Sequence, residues 1–312
     1  MMDLTILRQP WSAPAIPENI PHGDMPGDKV VISEGHIAKA NTVFPVLLEQ
    51  LASVLAGNPA QRAVIAVCGG SGVGKSETAS LLSYYLNQMG VGSYTMSGDN
   101  YPHRIPRDND AERLRVFRAG GLRGLVAAGC CTQEICQTLR ALWEADTDAE
   151  PEKVLEYPWL AVYQKAGRRS LNGYLGTTNE IDFDEVSGII ARFKQGADTL
   201  MLKRMGRETT VLWYDEVDVR DTQVLIIEWT HGNSDFIEGV DIPILLNSTP
   251  AETLAHRRAR NRDGKPDSAF ITMVLDLEQK KLEAQAHKAK IILSKSGELL
   301  TYSAYRRLMA AE

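Results

Sequence analysis

The stretch Val64-Ile-Ala-Val-Cys-Gly-Gly-Ser-Gly-Val-Gly-Lys-Ser76 decides the fold of this chain. It begins with an apolar run and continues as the pattern Gly-x-x-x-x-Gly-Lys-Ser over residues 69–76. A helical pattern that stops at Gly90 follows it. Strand, glycine-rich loop and helix in this order are typical of a phosphate-binding loop, because glycines let backbone N–H groups turn onto a polyphosphate. The sequence therefore predicts a nucleotide-binding protein.

The side chains of the loop indicate how it binds its ligand. Lys75 is expected to reach the β- and γ-phosphates, and the Ser76 hydroxyl to be a ligand of Mg²⁺. The free N–H groups and positive end of the following helix add to anion binding. The residues expected to contact the nucleotide are Gly69, Gly70, Ser71, Gly72, Val73, Gly74, Lys75, Ser76 and Glu77.

Composition limits the partners of the protein. With 312 residues, 44% of them hydrophobic, the chain can bury a large core. A net charge of −6 argues against nucleic-acid and membrane-surface binding, so an anionic acceptor would need locally clustered basic residues. No apolar run of about 18 residues and no charged-then-apolar N-terminus occurs, which favours a cytoplasmic protein. A homodimer stays open as an alternative to a monomer.

Cysteine usage also favours a cytoplasmic protein. The four cysteines show no paired spacing of the kind that binds zinc, and one of them lies in the strand before the loop; they are Cys68, Cys130, Cys131 and Cys136. Reduced thiols of a cytosolic protein are the expected state.

The remaining patterns predict an α/β phosphate-loop NTPase fold, a mostly parallel sheet with helices on both faces. Residues 1–60 form a proline-rich arm, irregular on the surface or partly disordered, and an amphipathic helix over about 43–56. The phosphate-loop domain covers 61–312, with an inserted helical cap at 105–178. The predicted strands are 63–68, 91–96, 199–203, 209–214, 223–229, 242–247 and 290–293, the third and fourth forming a separate pair. Helices are predicted over 77–89, through Phe183 to Phe193, and over 268–287 and 301–310.

Polar residues follow two predicted strands. In parallel sheets ligands gather at the carboxyl ends of the strands, which is where the phosphate loop also lies. Residues 97–104 end one strand, and Glu228 ends another, where a second acidic group for Mg²⁺ is expected beside Ser76. Thr249-Pro-Ala-Glu252 predicts a capping box that starts a helix. That helix leads into the basic run at 256–265, which we interpret as a lid.

These motifs resemble the phosphoribulokinase and uridine kinase family of P-loop kinases, and are closer to the phosphoribulokinase branch. Ser97-Gly-Asp99 followed by His103-Arg104 is similar to the Gly-Asp-Ser-Phe-His-Arg stretch of that family. Ile227-Glu228-Trp-Thr-His231-Gly232 is similar to its Tyr-Glu-Gly-Leu-His-Gly stretch. His256-Arg257 with Arg260 and Arg262 is similar to its His-Arg-Asp-Arg lid. The likeness covers roughly 60–104 and 180–295.

The resemblance implies transfer of the γ-phosphoryl group of ATP, with Mg²⁺, to a hydroxyl of a small metabolite such as a sugar phosphate or nucleoside. It assigns catalysis to Asp99 as general base, with Lys75, Glu228, Arg258 and Arg262, and Mg²⁺ binding to Ser76 and Glu228. It assigns acceptor binding to His103, Arg104, Lys203, Arg204 and His231. An anionic acceptor would rely on Arg104, Lys203 and Arg204.

Three departures from the family pattern leave the acceptor open. Trp229 replaces a glycine, the segment 202–204 lacks a tyrosine-centred pattern, and the cap is larger than in bacterial phosphoribulokinases. The triplet Gly98-Asp99-Asn100 is also similar to adenylylsulfate kinases, which share the phosphate-loop fold. A nucleotide-dependent switch without a small-molecule acceptor is the remaining alternative. ATP and GTP are not distinguished by these residues.

Overall fold

A computed structural model describes residues 2–206, 208, 211–249, 252–254 and 268–311 of the chain. The strands are β1 (Ala63–Gly69), β2 (Ser93–Ser97), β3 (Thr199–Met205), β4 (Leu212–Asp218), β5 (Val224–Glu228), β6 (Ile242–Leu246), β7 (Ile291–Leu293) and β8 (Leu299–Leu300). The helices are α1 (Glu34–Gly57), α2 (Lys75–Gln88), α3 (Pro106–Ala127), α4 (Gln133–Glu144), α5 (Lys153–Glu156), α6 (Leu160–Asn172), α7 (Phe183–Lys194), α8 (Ala269–Gln285) and α9 (Tyr302–Ala311).

A six-stranded sheet in the order β2-β5-β1-β6-β7-β8 forms the centre of the fold. All seven residues of β1 are buried, as expected for an apolar strand covered on both faces. Parallel pairing places Val67 of β1 opposite Glu228 of β5 and Ile244 of β6. The phosphate loop and the end of β5 therefore lie side by side at the carboxyl edge, and the predicted α/β class is confirmed.

The helix α1 is longer than predicted, since it begins at Glu34 rather than near residue 43. Ser33 caps it by accepting a hydrogen bond from the His36 N–H. The first turns are polar and carry no apolar periodicity, so the sequence pattern did not extend to them. By length and composition alone α1 is apolar enough to cross a membrane. Here Leu47 and Leu51 are fully buried in the core around β1 and α2.

The N-terminal arm is fastened to this core. A short 3₁₀ helix, Leu4–Arg8, buries Leu7. The Trp11 ring lies 4.9 Å from that of Phe44 in α1 and 5.3 Å from that of Tyr85 in α2. Residues on both sides of the predicted boundary at residue 60 thus share one hydrophobic core.

The predicted cap region contains α3, α4, α5 and α6, which pack around Phe117 and Tyr163. Helices α3 and α6 approach closely through glycines. A Cβ on Gly121 would lie 2.3 Å from the Tyr163 ring, and one on Gly167 would lie 2.7 Å from the Phe117 ring. Three buried residues of α8 join this core, among them Met273 and Leu277. The cap is therefore anchored on a helix that follows the predicted lid in sequence.

Two sheet predictions needed correction. The strand predicted at 209–214 is β4, which runs from Leu212 to Asp218 and pairs with β3 alone. Its residues are mostly exposed, so no apolar alternation marks its end. Residues 290–293 do not form the last strand, because β8 adds an antiparallel edge at Leu299–Leu300. Two residues are too few to give a periodic signal.

Candidate active site

The phosphate loop connects β1 to α2. Gly72 and Gly74 have φ angles of 80° and 95°, in the left-handed region that glycine tolerates best. Close approach also excludes a side chain at Gly69, where a Cβ would lie 2.5 Å from the Leu246 carbonyl oxygen. Lys75 Nζ donates a hydrogen bond to the Gly70 carbonyl oxygen at 3.0 Å. The predicted loop thus has the backbone turns that direct N–H groups inward.

Glu228 lies beside the start of α2. Its Oε2 accepts a hydrogen bond from Ser76 Oγ at 3.0 Å, and its Oε1 accepts one from Ser97 Oγ at 2.6 Å. Strand register fixes this contact, since Ser97 of β2 pairs directly with Glu228 of β5. Glu228 is only 4% exposed. Burial, with a contribution from the charge of Asp99, raises the pKa of Glu228 to about 8.

Asp99 occupies a 3₁₀ turn, Gly98–Asn100, directly after β2. Its side chain is exposed, and its charge acts on Glu228, so two carboxylates share the edge of the sheet. Gly98 packs against Trp229, where a Cβ would overlap the indole Cγ. Asn100 Oδ1 accepts a hydrogen bond from the Met205 N–H at 2.8 Å. Trp229, the departure from the family pattern, therefore supports the turn that carries Asp99.

A buried carboxylate, Glu180, lies in the turn before α7, just after the cap. Glu180 Oε1 accepts hydrogen bonds from Arg113 Nε at 2.6 Å and from Asn109 Nδ2 at 3.0 Å, and Oε2 accepts one from the Gly176 N–H at 2.6 Å. Burial opposes ionisation of Glu180, but the charge of Arg113 and these hydrogen bonds keep its pKa below the usual value. Arg113 Nη2 also lies 3.4 Å from Glu278 Oε1 in α8.

No sequence pattern indicated this group of three charged residues. Arg113, Glu180 and Glu278 lie on α3, on the turn before α7 and on α8, far apart in sequence and in no motif. Contacts between them require the folded cap.

His231 packs against this group. A Cβ on Gly176 would lie 2.8 Å from His231 Cε1, and the His231 ring lies 5.6 Å from the Trp229 ring in an edge-on arrangement. Burial lowers the pKa of His231 to about 4, with Glu180 opposing the shift. The imidazole is therefore neutral at physiological pH.

His103 and Arg104, both predicted to bind the acceptor, lie at the cap side of the site. His103 is exposed, and its Nε2 lies 3.0 Å from the Thr178 carbonyl oxygen. Arg104 Nη1 donates to the Tyr174 hydroxyl at 3.1 Å, and Nη2 lies 3.9 Å from Glu112 Oε1.

Lys203 and Arg204, also predicted to bind the acceptor, are buried in β3. Lys203 Nζ donates to the Pro102 carbonyl oxygen at 3.2 Å. Arg204 donates to Asp24 at 2.8 Å, to Asp215 at 3.0 Å and to the Tyr94 hydroxyl at 3.0 Å. The guanidinium thus donates to groups of the N-terminal arm, β2 and β4.

Asp24 brings the N-terminal arm to the site, a contact that the sequence analysis missed. Its Oδ1 accepts hydrogen bonds from the Ser97 N–H at 2.7 Å and from Asn100 Nδ2 at 3.1 Å. Burial raises the pKa of Asp24, and the charge of Arg204 opposes this shift. The preceding Gly23 lies against Glu228, since a Cβ there would be 3.5 Å from Glu228 Oε1.

The capping box before the predicted lid is confirmed. The Thr249 N–H donates to Glu252 Oε2 at 2.8 Å, and the Glu252 N–H donates to Thr249 Oγ1 at 3.3 Å. The lid residues themselves, Arg258 and Arg262 among them, lie outside the described residues.

Comparison with known proteins gives one relative by sequence. No family model matches the chain. Over 253 residues the chain is 38% identical to the bifunctional alpha-galactosidase/sucrose kinase AgaSK of Mediterraneibacter gnavus. The match covers 81% of this chain but 22% of the relative, so the chain spans less than a quarter of that protein's length.

Two solved structures are similar in outline. The D-glycerate 3-kinase of Cryptococcus neoformans var. grubii has a TM-score of 0.46 and 11% identity over 86% of this chain and 99% of that one. A possible uridine kinase of Bacillus stearothermophilus has a TM-score of 0.40 and 15% identity over 79% of this chain and 98% of that one. Both scores are below 0.5, so neither structure decides the substrate. The chain is a phosphate-loop protein of the α/β class, related in sequence to a segment of the bifunctional AgaSK protein, with site motifs similar to those of the phosphoribulokinase and uridine kinase family.

Proposed function

We propose that the protein is a kinase that transfers the γ-phosphoryl group of ATP to a hydroxyl of a small neutral sugar. The observation that carries the proposal is the group formed by Ser76, Glu228 and Asp99 beside the phosphate loop. A hydroxyl and a buried carboxylate suited to a divalent cation lie there next to a second carboxylate suited to accept a proton. A protein that only binds nucleotide needs the first two groups but not the third.

Ser76 and Glu228 fit a Mg²⁺ ion. Glu228 is buried and accepts hydrogen bonds from the hydroxyls of Ser76 and Ser97, and its raised pKa reflects a carboxylate that a positive charge would stabilise. Ser76 and Glu228 would hold the ion, which would neutralise charge on the β- and γ-phosphate oxygens. The loop N–H groups and Lys75 would bind the same phosphates.

Asp99 is proposed as the general base. Its carboxylate would accept the proton of the acceptor hydroxyl while that oxygen forms its bond to the γ-phosphorus. The bond from the γ-phosphorus to the β,γ-bridging oxygen breaks, and ADP leaves with that oxygen. Lys75 would stabilise the charge on the transferred group, together with the predicted lid residues Arg258 and Arg262.

The charges around the site favour a neutral acceptor over an anionic one. The three cations predicted to hold an anion, Arg104, Lys203 and Arg204, each already bind protein oxygens. His231 is neutral because burial depresses its pKa. Sugar hydroxyls, in contrast, pair readily with carboxylates and neutral imidazole. The sucrose kinase named in the relative supports a neutral sugar such as sucrose.

The test is the rate of ADP release with sucrose, other neutral sugars, sugar phosphates, nucleosides and adenylylsulfate in parallel. We expect a neutral sugar to accelerate release, and Asp99→Asn to remove that acceleration. Asp221→Asn, at an exposed turn, is the matched control that should keep it. Acceleration by adenylylsulfate alone would establish an enzyme like the adenylylsulfate kinases instead. Slow ATP hydrolysis that no metabolite changes would establish the nucleotide switch.

The setting of the enzyme is part of the proposal. We infer a cytoplasmic protein whose partners are ATP and the acceptor, without nucleic acid or membrane. Sedimentation in solution will distinguish a monomer from a homodimer.

A further inference from the structure

Two cysteine side chains lie in contact at the start of α4. The Sγ atoms of Cys131 and Cys136 are 3.5 Å apart and share a hydrogen bond. Cys131 is exposed, and Cys136 is half-buried. The other two thiols bond elsewhere, Cys68 to the Ile244 carbonyl oxygen in the sheet and Cys130 to the Ala128 carbonyl oxygen. Of the four thiols, these two therefore form an accessible pair.

The helix cap brings the two sulfurs together. Thr132 is the N-cap of α4, and its hydroxyl accepts a hydrogen bond from the Ile135 N–H at 3.2 Å. The Cys136 N–H donates to the Thr132 carbonyl oxygen at 3.0 Å. Cys131 thus precedes the cap and Cys136 is the fourth helical residue, the two positions that make a hydrophobic staple at a helix start. The helix cap therefore places the two cysteines at positions whose side chains can meet.

We propose that Cys131 and Cys136 form a reversible disulfide, a redox modification site at the start of α4. The oxidant is a small-molecule disulfide such as oxidised glutathione. One cysteine thiolate attacks it and releases a glutathione thiolate, and the second then attacks the mixed disulfide and releases another. Two thiol protons are lost, and two electrons pass to the oxidant. Bond formation brings the sulfurs from 3.5 Å to about 2 Å.

The disulfide would affect the cap more than the phosphate loop. Helix α4 buries Leu139 and Leu142 in the core that also holds Met273 and Leu277 of α8. A disulfide joins the first turn of α4 to the residue before its N-cap, so this end of the helix opens less often. This inference is independent of the proposed kinase activity.

The test equilibrates the full-length folded protein in glutathione buffers of graded redox ratio and counts free thiols after acid quenching. We expect the thiol count to fall from four to two, with the mass of two hydrogen atoms lost from the intact protein. Reduction should restore all four thiols. Amide hydrogen exchange in the first turn of α4 should slow in the oxidised form.

Matched variants identify the partners. Cys130→Ser should still lose two thiols, whereas Cys131→Ser and Cys136→Ser should form at most a mixed disulfide with glutathione. The peptide of residues 124–140 is a further control, and it should need a more oxidising buffer than the folded protein does. Loss of the disulfide in Cys130→Ser would overturn the proposal, as would equal redox midpoints for protein and peptide. So would retention of four thiols under oxidised glutathione.

Discussion

Arg204 Nη1 in β3 lies 2.8 Å from the carboxylate of Asp24, a residue 180 positions earlier in the chain. Both side chains are almost fully buried, with exposed fractions of 7% and 9%. The pair joins the N-terminal arm to the β3–β4 hairpin next to the turn that carries Asp99. Arg204 therefore joins two distant segments beside this turn, and acceptor binding by Arg204 stays a prediction.

Arg204→Met should destabilise the protein, because it leaves Asp24 buried without its cation. Breaking a buried ion pair in this way costs about 3–5 kcal/mol, which urea denaturation will measure. Arg204→Met combined with Asp24→Asn should recover part of the loss. Arg220→Met, which removes an exposed partner of Asp218, is the control and should change stability little. A raised acceptor KM with unchanged stability would return Arg204 to the acceptor site.

Lys75→Ala should weaken MgATP binding and abolish turnover while leaving the fold intact, since Lys75 supplies the cation at the β- and γ-phosphates. Calorimetric titration with MgATP measures the loss of binding. Circular dichroism checks that the fold is intact. ATP affinity equal to that of the unaltered protein would refute the phosphate-loop assignment.

Asp99→Asn and Glu228→Gln should differ in their response to Mg²⁺. General-base assistance is worth about 10²–10⁴-fold, so Asp99→Asn should lower kcat by about 10²-fold or more with the Mg²⁺ dependence unchanged. Glu228→Gln should also shift the Mg²⁺ requirement upward. Measuring kcat over a range of Mg²⁺ concentrations separates the two effects. The reverse pattern would exchange the two assignments.

Binding of MgATP near pH 7 should release a proton from Glu228. Burial raises the pKa of this carboxyl to about 8, so it is mostly protonated in the free protein at that pH. A divalent cation favours the charged form and lowers the pKa, and affinity for MgATP should therefore fall as the pH drops below 8. Calorimetry in buffers of different ionisation enthalpy measures the proton. Buffer-dependent heats that persist in Glu228→Gln would assign the proton to another group.

The free energy of unfolding should fall as the pH drops from 6.5 towards 4.5, partly because of His231. Its pKa is about 4 in the folded protein and 6.5 for an unperturbed histidine, so in this window the unfolded chain binds more protons. Stability from this group is complete above pH 6.5 and is lost as the pH falls. Urea denaturation at pH 6.5 and 4.5 should show a smaller loss for His231→Asn than for the exposed control His287→Asn. Equal losses would place the pH dependence elsewhere.

The sequence predicted best where local chemistry determines the structure. The glycines of the loop, the apolar run of β1 and the capping box at Thr249 each act over a few residues, and each lies where the pattern indicated. Glu228 was found because a polar residue ended a buried strand. Parallel register then placed it beside Ser76.

The rest depends on contacts between distant segments. Asp24 and Glu180 carry no motif, and only the folded chain shows that each carboxylate is buried with an arginine. The charge of Arg204 was visible in the sequence, but its partners Asp24, Asp215 and Tyr94 were not. The same reasoning limits charge-based assignments in general: a cation can be assigned to a ligand only after its protein partners are known.

The arm has a practical consequence for protein engineering. Its proline-rich, irregular sequence invites removal in a shortened chain intended for crystallisation. Yet Gly23 lies against Glu228, and the His36 ring lies 3.0 Å from where a Cβ on Gly74 would be. Trimming residues 1–33 would take away Asp24 and the Ser33 cap of α1 together, and water would reach the carboxylate beside Ser76. An affinity tag or fusion partner should therefore be added without removing the arm.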